Sequence, residues 1–454
     1  MKNVIIIGAG KSCPWLVKYL DKQSEVSLKI TIADKSLNQA EKLIKDYDNC
    51  KAVSVDIFDK SALQKLLKEA SIVISMVPAR FHIEVARVCL ELKKNMVTAS
   101  YVSNAMEALD DEVKAADLTF LNEIGVDPGI DHMSAMEVID DIKNKGGKML
   151  MFESFTGGLV APESDDNLWH YKFTWNPRNV VLAGQGGAAE FIQEGKYKYI
   201  PYQRLFRRTE FLKVPDYGRF EGLANRNSLA YRSIYGLEGI PTIYRGTLRR
   251  VGFSKAWNVF VQLGMTDDSY KIQGAEDMSY RAFVNLFLPY APHDSVELKL
   301  RHSLKIDQDD LIWDKLLELD LFSREKKINL KNPTPAQALQ KILEDKWTLN
   351  SHDKDMIVMY HKFGFEISGE KKQIDSTMVS IGDDQKYTAM AKTVGLPLGI
   401  ATVKILKGEI KRKGVLRPTV KEIYKPVLKE LKKFNIDFTE REKEYLGYNP
   451  DNLS

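Results

Sequence analysis

Along the first 121 residues, short apolar runs alternate with stretches of helical spacing. Val4 to Ile7, Lys29 to Ala33, Ala52 to Val55, Ile72 to Ser75, Met96 to Thr98 and Leu118 to Leu121 are strand-length runs rich in β-branched and apolar residues. Between them, Trp15 to Leu20, Asn38 to Tyr47, Ser61 to Lys68, Phe81 to Lys93 and Ala105 to Ala116 place apolar residues three and four apart. That spacing puts them on one face of a helix. Continuously apolar strands, each followed by a helix, predict a parallel sheet of about six strands covered on both faces. The expected class is α/β, doubly wound.

Beyond Gly125 this rhythm stops. A polar turn, Val126 to His132, leads into a helix from Ser134 to Lys143. Leu311, Leu316, Leu317, Leu321, Ala336, Leu339 and Leu343, spread among charges, predict a small helical lobe. Met356 to Met359, Phe363 to Ile367 and Ser376 to Ile381 read as strands, and Tyr387 to Leu406 as a helix bent at Gly395-Leu396-Pro397.

Composition narrows the function classes. The chain has 454 residues, 44% of them hydrophobic, enough for two or three domains with ordinary cores. Sixty-six basic against 62 acidic residues leave a formal charge of +4, which predicts no nucleic-acid partner. The basic run Lys407 to Lys413 reads as a solvated turn. Three cysteines, at 13, 50 and 89, make neither a disulfide framework nor a metal pattern. The seven histidines lack metal-binding spacing, so no metal is expected. The opening MKNVIIIGAG is too short an apolar run for a signal peptide, and no run of about 18 apolar residues predicts a membrane span. A cytoplasmic protein is expected.

Candidate chemistry begins at the first strand's end. Gly8-Ala9-Gly10-Lys11-Ser12-Cys13 joins that strand to the first helix, the context in which a glycine turn cradles a dinucleotide pyrophosphate. Gly8 permits the tight turn and Gly10 the close approach of backbone to phosphate. Cys13 stands at the third glycine position, as a small packing residue or as an activated thiol. Asp34 ends the second strand, where a carboxylate accepts ribose hydroxyls and repels a 2′-phosphate. NAD is therefore preferred, and NADP stays open because Lys35 is adjacent. Asp56 is placed to reach the adenine or to cap the next helix, and Met76-Val77 at the fourth strand's end to meet the nicotinamide side.

Several blocks, in order, carry a family resemblance. They are Thr98-Ala99-Ser100-Tyr101, the turn from Asn122 to His132, Gly157-Gly158-Leu159-Val160-Ala161-Pro162-Glu163 and Tyr171-Lys172-Phe173-Thr174-Trp175. Asn225-Arg226-Asn227-Ser228, Arg245-Gly246-Thr247-Leu248-Arg249, Lys354 to Met359 and Ala389 to Pro397 follow. The chain resembles the saccharopine dehydrogenase family of the L-glutamate-forming type, and in its last two blocks the NAD-using domain of bifunctional lysine-degrading enzymes. The resemblance implies a Rossmann-type domain over 1–128 and 386–454. It also implies an α+β substrate and dimerisation domain over 129–304 and 351–385, with the lobe at 305–350, in a homodimer.

The implied reaction is oxidation of saccharopine by hydride transfer to NAD, then imine hydrolysis to L-glutamate and 2-aminoadipate 6-semialdehyde. Asp127 is the candidate for substrate-amine contact and proton transfer, with Tyr101 beside it. Ser100, Tyr101, Asp127, Arg226, Thr247, Leu248 and Arg249 are the implied substrate set, since saccharopine's three carboxylates call for guanidinium groups. Arg245 supports them. Val126, Asp127, Pro128 and Trp175 join the cofactor set, and Lys172 is expected nearby. His132 reads as a helix buttress or a base. The family's Ser-Tyr-Cys-Gly-Gly block is here Ser154-Phe155-Thr156-Gly157-Gly158, so a thiol role is lost. Alternatives are a related secondary-amine dehydrogenase, such as one acting on a carboxyalkyl-polyamine, and a non-catalytic NAD(H)-binding scaffold.

Overall fold

The computed structural model describes residues 1–445 and 447. Six strands alternate with helices at the start of the chain: β1 (Lys2–Ile7), β2 (Leu28–Asp34), β3 (Cys50–Ser54), β4 (Ile72–Ser75), β5 (Asn95–Thr98) and β6 (Thr119–Leu121). With Gly414–Leu416 they form a seven-stranded parallel sheet in the order Gly414–Leu416, β6, β5, β4, β1, β2, β3. Val4 to Ile7 and Ile72 to Ile74 are all buried, as strands sealed on both faces must be. The connections reverse direction between β1 and β4, which puts the switch point at the carboxyl ends of those strands.

The seventh strand was not expected. It follows the basic run, which is neutralised locally: Lys407 pairs with Glu25 and Glu409, and Lys413 with Asp117. Three residues at 414–416 carry too little pattern to announce a partner almost three hundred positions earlier.

Helix Ala389–Leu406 includes Pro397 without interruption and is 72% buried. It is long and apolar enough to span a bilayer by composition, yet here it packs on helix Pro14–Asp21. The contact is made possible by two glycines. A Cβ on Gly395 would lie 2.7 Å from the Leu16 backbone nitrogen, and one on Gly399 2.6 Å from the Tyr19 ring. Gly395→Ala is expected to destabilise by about 1–3 kcal/mol despite alanine's better helix propensity. Thermal unfolding should show a Tm lower by several degrees; an unchanged Tm would mean that the helices separate without cost.

The remaining strands build a nine-stranded mixed sheet. They are β7 (Lys148–Val160), β8 (Ala189–Gln193), β9 (Lys196–Ile200), β10 (Thr209–Val214), β11 (Gly218–Ala224), β12 (Thr242–Arg250), β13 (Asp355–Ile367), β14 (Glu370–Ile381) and Thr439–Glu444. The order is β10, β11, β12, β7, β13, β14, Thr439–Glu444, with the β8–β9 hairpin attached to β12. The two strands expected over 356–367 are one. Tyr360-His361-Lys362 looks like a polar break, but His361 is fully buried, Tyr360 donates to Asp375 (2.7 Å) and Lys362 to Glu153 (2.8 Å).

By packing, the chain divides into two units. Unit 1 is Met1–Lys148, Glu366–Glu370 and Met378–Glu440; unit 2 is Met149–Phe365, Lys371–Thr377 and Arg441–Ser454. Helix Ile130–Asn144, read from sequence as the start of the second domain, lies in unit 1, where Tyr424 donates to Asp140 at 2.7 Å. The stretch 305–350 is not a separate lobe. Helix Pro335–Trp347, held at its start by a Thr334/Gln337 capping box, buries Trp347 among Trp169, Tyr171, Phe253 and Trp257 in unit 2.

Candidate active site

In unit 1 the glycine turn sits at the switch point. Gly8 has φ +109°, and a Cβ there would lie 2.7 Å from the Met76 carbonyl oxygen at the end of β4, so only glycine fits between the two strand ends. A Cβ on Gly10 would touch nothing, which leaves the open side of the turn for a pyrophosphate at the start of helix Pro14–Asp21. Lys11 is exposed and Ser12 half-buried in the same turn. Asp34 braces it: Oδ2 accepts from the Ala9 N–H (2.9 Å) and Oδ1 from the Ser36 N–H (2.8 Å). These residues fit a dinucleotide.

Cys13 is not an activated thiol. It is buried against the turn, its Sγ 3.4 Å from the Gly8 carbonyl oxygen, and burial pushes the thiol up to about 12. Asp56 does not cap a helix; Asp59 does, accepting from the Ala62 N–H. The Asp56 carboxylate accepts from the Phe58 N–H and pairs with Lys35 (3.0 Å), and these partners hold it below the usual carboxylate range. Met76 and Val77 are half-buried beside Gly8, whereas Val126 and Pro128 are buried.

The proton-transfer candidates are brought together. Tyr101 lies just beyond β5 and Asp127 in the turn after β6, and the Tyr101 hydroxyl donates to Asp127 Oδ1 at 3.0 Å. The turn is closed by glycine: Gly129 has φ +146°, and a Cβ there would strike Gly125 at 2.1 Å. Buried groups hold both segments. Glu123 Oε1 accepts from the Val102 N–H (3.0 Å) and from Arg417 (3.0 Å), while Oε2 meets His132 Nε2 at 2.9 Å. Burial alone would raise the Glu123 pKa, but His132, Val102 and Arg417 together bring it below its ordinary value. His132, fully buried between Glu123 and Asp131 (3.4 Å), is therefore a buttress. His82 was missed. It bridges Ser75 (2.8 Å) and Ser100 (2.7 Å), and its only advance signal was a histidine near the start of a helix.

Unit 2 carries the cationic groups. Arg245, Thr247 and Arg249 alternate on β12, so strand periodicity directs all three to one face. Gly246, between them, is covered on the other face by the Phe155 ring, which a Cβ at that position would meet at 2.6 Å. Arg249 is 7% exposed, with its guanidinium 5.0 Å from the Tyr171 ring centre and 5.3 Å from that of Phe253. It donates to the Leu248 carbonyl oxygen (2.8 Å) and, among the described residues, makes no ion pair. A buried guanidinium without a carboxylate is a site for an anion. The cavity at Arg249 is also lined by Thr247, Asn225 and Trp257, whose buried indole N–H has no partner among the described residues. Trp257 reads from sequence only as a core aromatic. The Thr156 hydroxyl, paired in register with Thr247, is likewise buried without a partner among the described residues.

Arg226 lies elsewhere. It is exposed, its loop stapled by Glu190 N–H to the Arg226 carbonyl (2.7 Å) and by Arg245 N–H to Ser228 Oγ (2.9 Å). It therefore shares the Arg245 end of β12, roughly 13 Å along the strand from Arg249 at about 3.3 Å per residue. Lys172 is tied to Asp166 (2.8 Å) and Asp353 (2.7 Å), a structural ion-pair group rather than a cofactor contact. Trp175 is half-buried in unit 2.

Comparison with known proteins agrees with this geometry. Residues 4–121 match the saccharopine dehydrogenase NADP binding domain and residues 125–436 the saccharopine dehydrogenase C-terminal domain. The chain belongs to the saccharopine dehydrogenase family. It is an oxidoreductase of the class acting on CH–NH donors. It is 34% identical to the NADP(+), L-glutamate-forming saccharopine dehydrogenase of Saccharomyces cerevisiae, over 97% of this chain and 99% of that one. It is 35% identical to the mitochondrial alpha-aminoadipic semialdehyde synthase of Mus musculus, over 96% of this chain and 47% of that longer one. These values do not separate the bifunctional from the monofunctional relatives, so the leaning of the last two sequence blocks toward the bifunctional enzymes is not supported. The apo L-Glu-forming saccharopine dehydrogenase structure from Saccharomyces cerevisiae superposes with TM-score 0.89 at 33% identity, covering 98% of this chain and all of that one.

Proposed function

We propose that this family member catalyses the reversible, dinucleotide-dependent oxidation of saccharopine to L-glutamate and 2-aminoadipate 6-semialdehyde. The observation that carries the reading is the Tyr101–Asp127 hydrogen bond beside the switch point of the dinucleotide sheet. A bound nicotinamide ring supplies the hydride acceptor. The chain's own groups supply the rest. Asp127 takes the proton of the substrate's secondary ammonium, freeing the nitrogen lone pair that drives hydride departure. Tyr101 holds that carboxylate in place and gives Asp127 a route for passing a proton on when water adds to the imine. Arg249 supports a polycarboxylate substrate over a polyamine, whose site would be acidic.

For the dinucleotide, the Asp34 carboxylate supports NAD, since ribose hydroxyls can donate to it and a 2′-phosphate is repelled. NADP is the second reading, favoured by the family's NADP binding domain, the NADP(+) in the yeast relative's name and the exposed Lys35 ammonium. Saccharopine with either dinucleotide at alkaline pH should raise reduced-nicotinamide absorbance; no rise with both would refute the function. Asp34→Ala should lower the NAD-over-NADP ratio of kcat/KM about tenfold or more, on the order of one charge-assisted contact. An unchanged ratio removes Asp34 from discrimination.

A further inference from the structure

Ser100 is not an isolated hydroxyl. Behind it, in the first turn of helix His82–Glu91, stands His82, 5% exposed. Its Nε2 lies 2.7 Å from Ser100 Oγ and its Nδ1 2.8 Å from Ser75 Oγ, with Thr98 Oγ1 3.4 Å from both ring nitrogens. The ring thus ties the end of β4 to the segment after β5. Core packing alone does not require this, because an apolar side chain would fill the space without needing two hydroxyl partners.

Burial lowers the His82 pKa to about 4, so the ring is neutral in working conditions. A neutral imidazole has one N–H and one lone pair, and its two serine partners must take opposite roles. In one tautomer Ser75 donates to Nδ1, and Nε2–H donates to Ser100 Oγ. The Ser100 proton is then turned away from the ring and available to an acceptor. In the other tautomer Ser100 donates inward to Nε2 and offers only lone pairs outward. A carboxylate, which also offers only lone pairs, is bound by the first arrangement and repelled by the second.

We propose that His82 is a positioning residue that presents the Ser100 hydroxyl as a hydrogen-bond donor to a substrate carboxylate. This rests on the placement of Ser100 in the substrate set under the function proposed above. It deepens that reading by assigning the carboxylate's recognition to a buried Ser75–His82–Ser100 chain rather than to one serine.

The test is steady-state kinetics with saccharopine and the preferred dinucleotide. Ser100→Ala should raise the saccharopine KM about tenfold or more, the scale of a hydrogen bond to a charged group. His82→Leu should raise it about three- to tenfold, with kcat and the dinucleotide KM within about twofold, and His82→Gln, whose amide N–H can donate in place of Nε2–H, should recover most of the loss. In a Ser100→Ala background, His82→Leu should add nothing, because the two act as one unit. Ser75→Ala, a smaller change in case the leucine variant fails to fold, should raise the same KM alone. If Ser100→Ala acts but His82→Leu and Ser75→Ala do not, or if the His82 effect persists in full without the Ser100 hydroxyl, the His82 role is overturned. If Ser100→Ala leaves the KM unchanged, the placement of Ser100 itself falls, and the role of His82 with it.

Discussion

Asp127→Asn is expected to lower kcat for saccharopine oxidation by about 10²–10⁴-fold, the usual range for loss of a general base. The substitution keeps the side chain's shape, and its carbonyl oxygen can still accept from the Tyr101 hydroxyl, so the turn from Gly125 to Gly129 should survive. Dinucleotide affinity, read by fluorescence titration, should then stay within about threefold. What is lost is the lone function an amide cannot perform at neutral pH, uptake of the ammonium proton. A matched pH series strengthens the test: the variant should gain most at alkaline pH, where a larger share of substrate amine is already deprotonated in solution. A variant that retains kcat within about tenfold would place the base elsewhere, and Tyr101 would become the first residue to examine.

Arg249→Met should lower kcat/KM for saccharopine by about 10- to 150-fold, equivalent to about 1.5–3 kcal/mol for a charge-assisted contact. Methionine fills a similar volume against Tyr171 and Phe253 and removes only the charge and the fork of donors. Arg226→Ala should cost less and act mainly on KM, because Arg226 is exposed and its field is screened by water. The magnitudes follow from burial: the same charge contributes more where the dielectric is low. Equal effects of the two substitutions would mean that Arg226 is desolvated by the substrate. No effect at Arg249 would remove it from the substrate set, and the anion it is built for would have to be another.

The first unit was readable because its signals are local. Ile72 to Ser75 coincides with β4, and the other early runs match strands to within two residues, since a fully buried parallel strand must be apolar throughout. Arg245, Thr247 and Arg249 were named only through the family resemblance; that they share one face follows from the strand Thr242–Arg250, which the structure supplies. Glycine at 8 announced a position that no side chain can occupy. The readings that changed were those for which the deciding partner is distant in sequence. Lys172 reads as a cofactor neighbour until Asp353, 181 residues away, proves to be its ion-pair partner. Trp347 belongs to a charged, helix-rich stretch and reads as part of a separate lobe, yet it packs among aromatics from positions 169 to 257. Residues 360 to 362 look like a turn, yet they continue a strand because their polar groups are paired by Glu153 and Asp375 in neighbouring strands.

By itself, then, the sequence determined the doubly wound domain, the glycine turn and the family, and nominated Asp127, Tyr101 and the arginines as candidates, because period, glycine geometry and ordered motifs are properties of neighbouring residues. Tertiary structure alone decided which of these groups are available for chemistry. It left Arg249 buried without a carboxylate among the described residues, joined Tyr101 to Asp127, committed Lys172 and His132 to internal pairs, and set His82 behind Ser100. Availability depends on which charges and hydrogen-bonding groups are already satisfied, and that is settled only when distant segments are packed against one another.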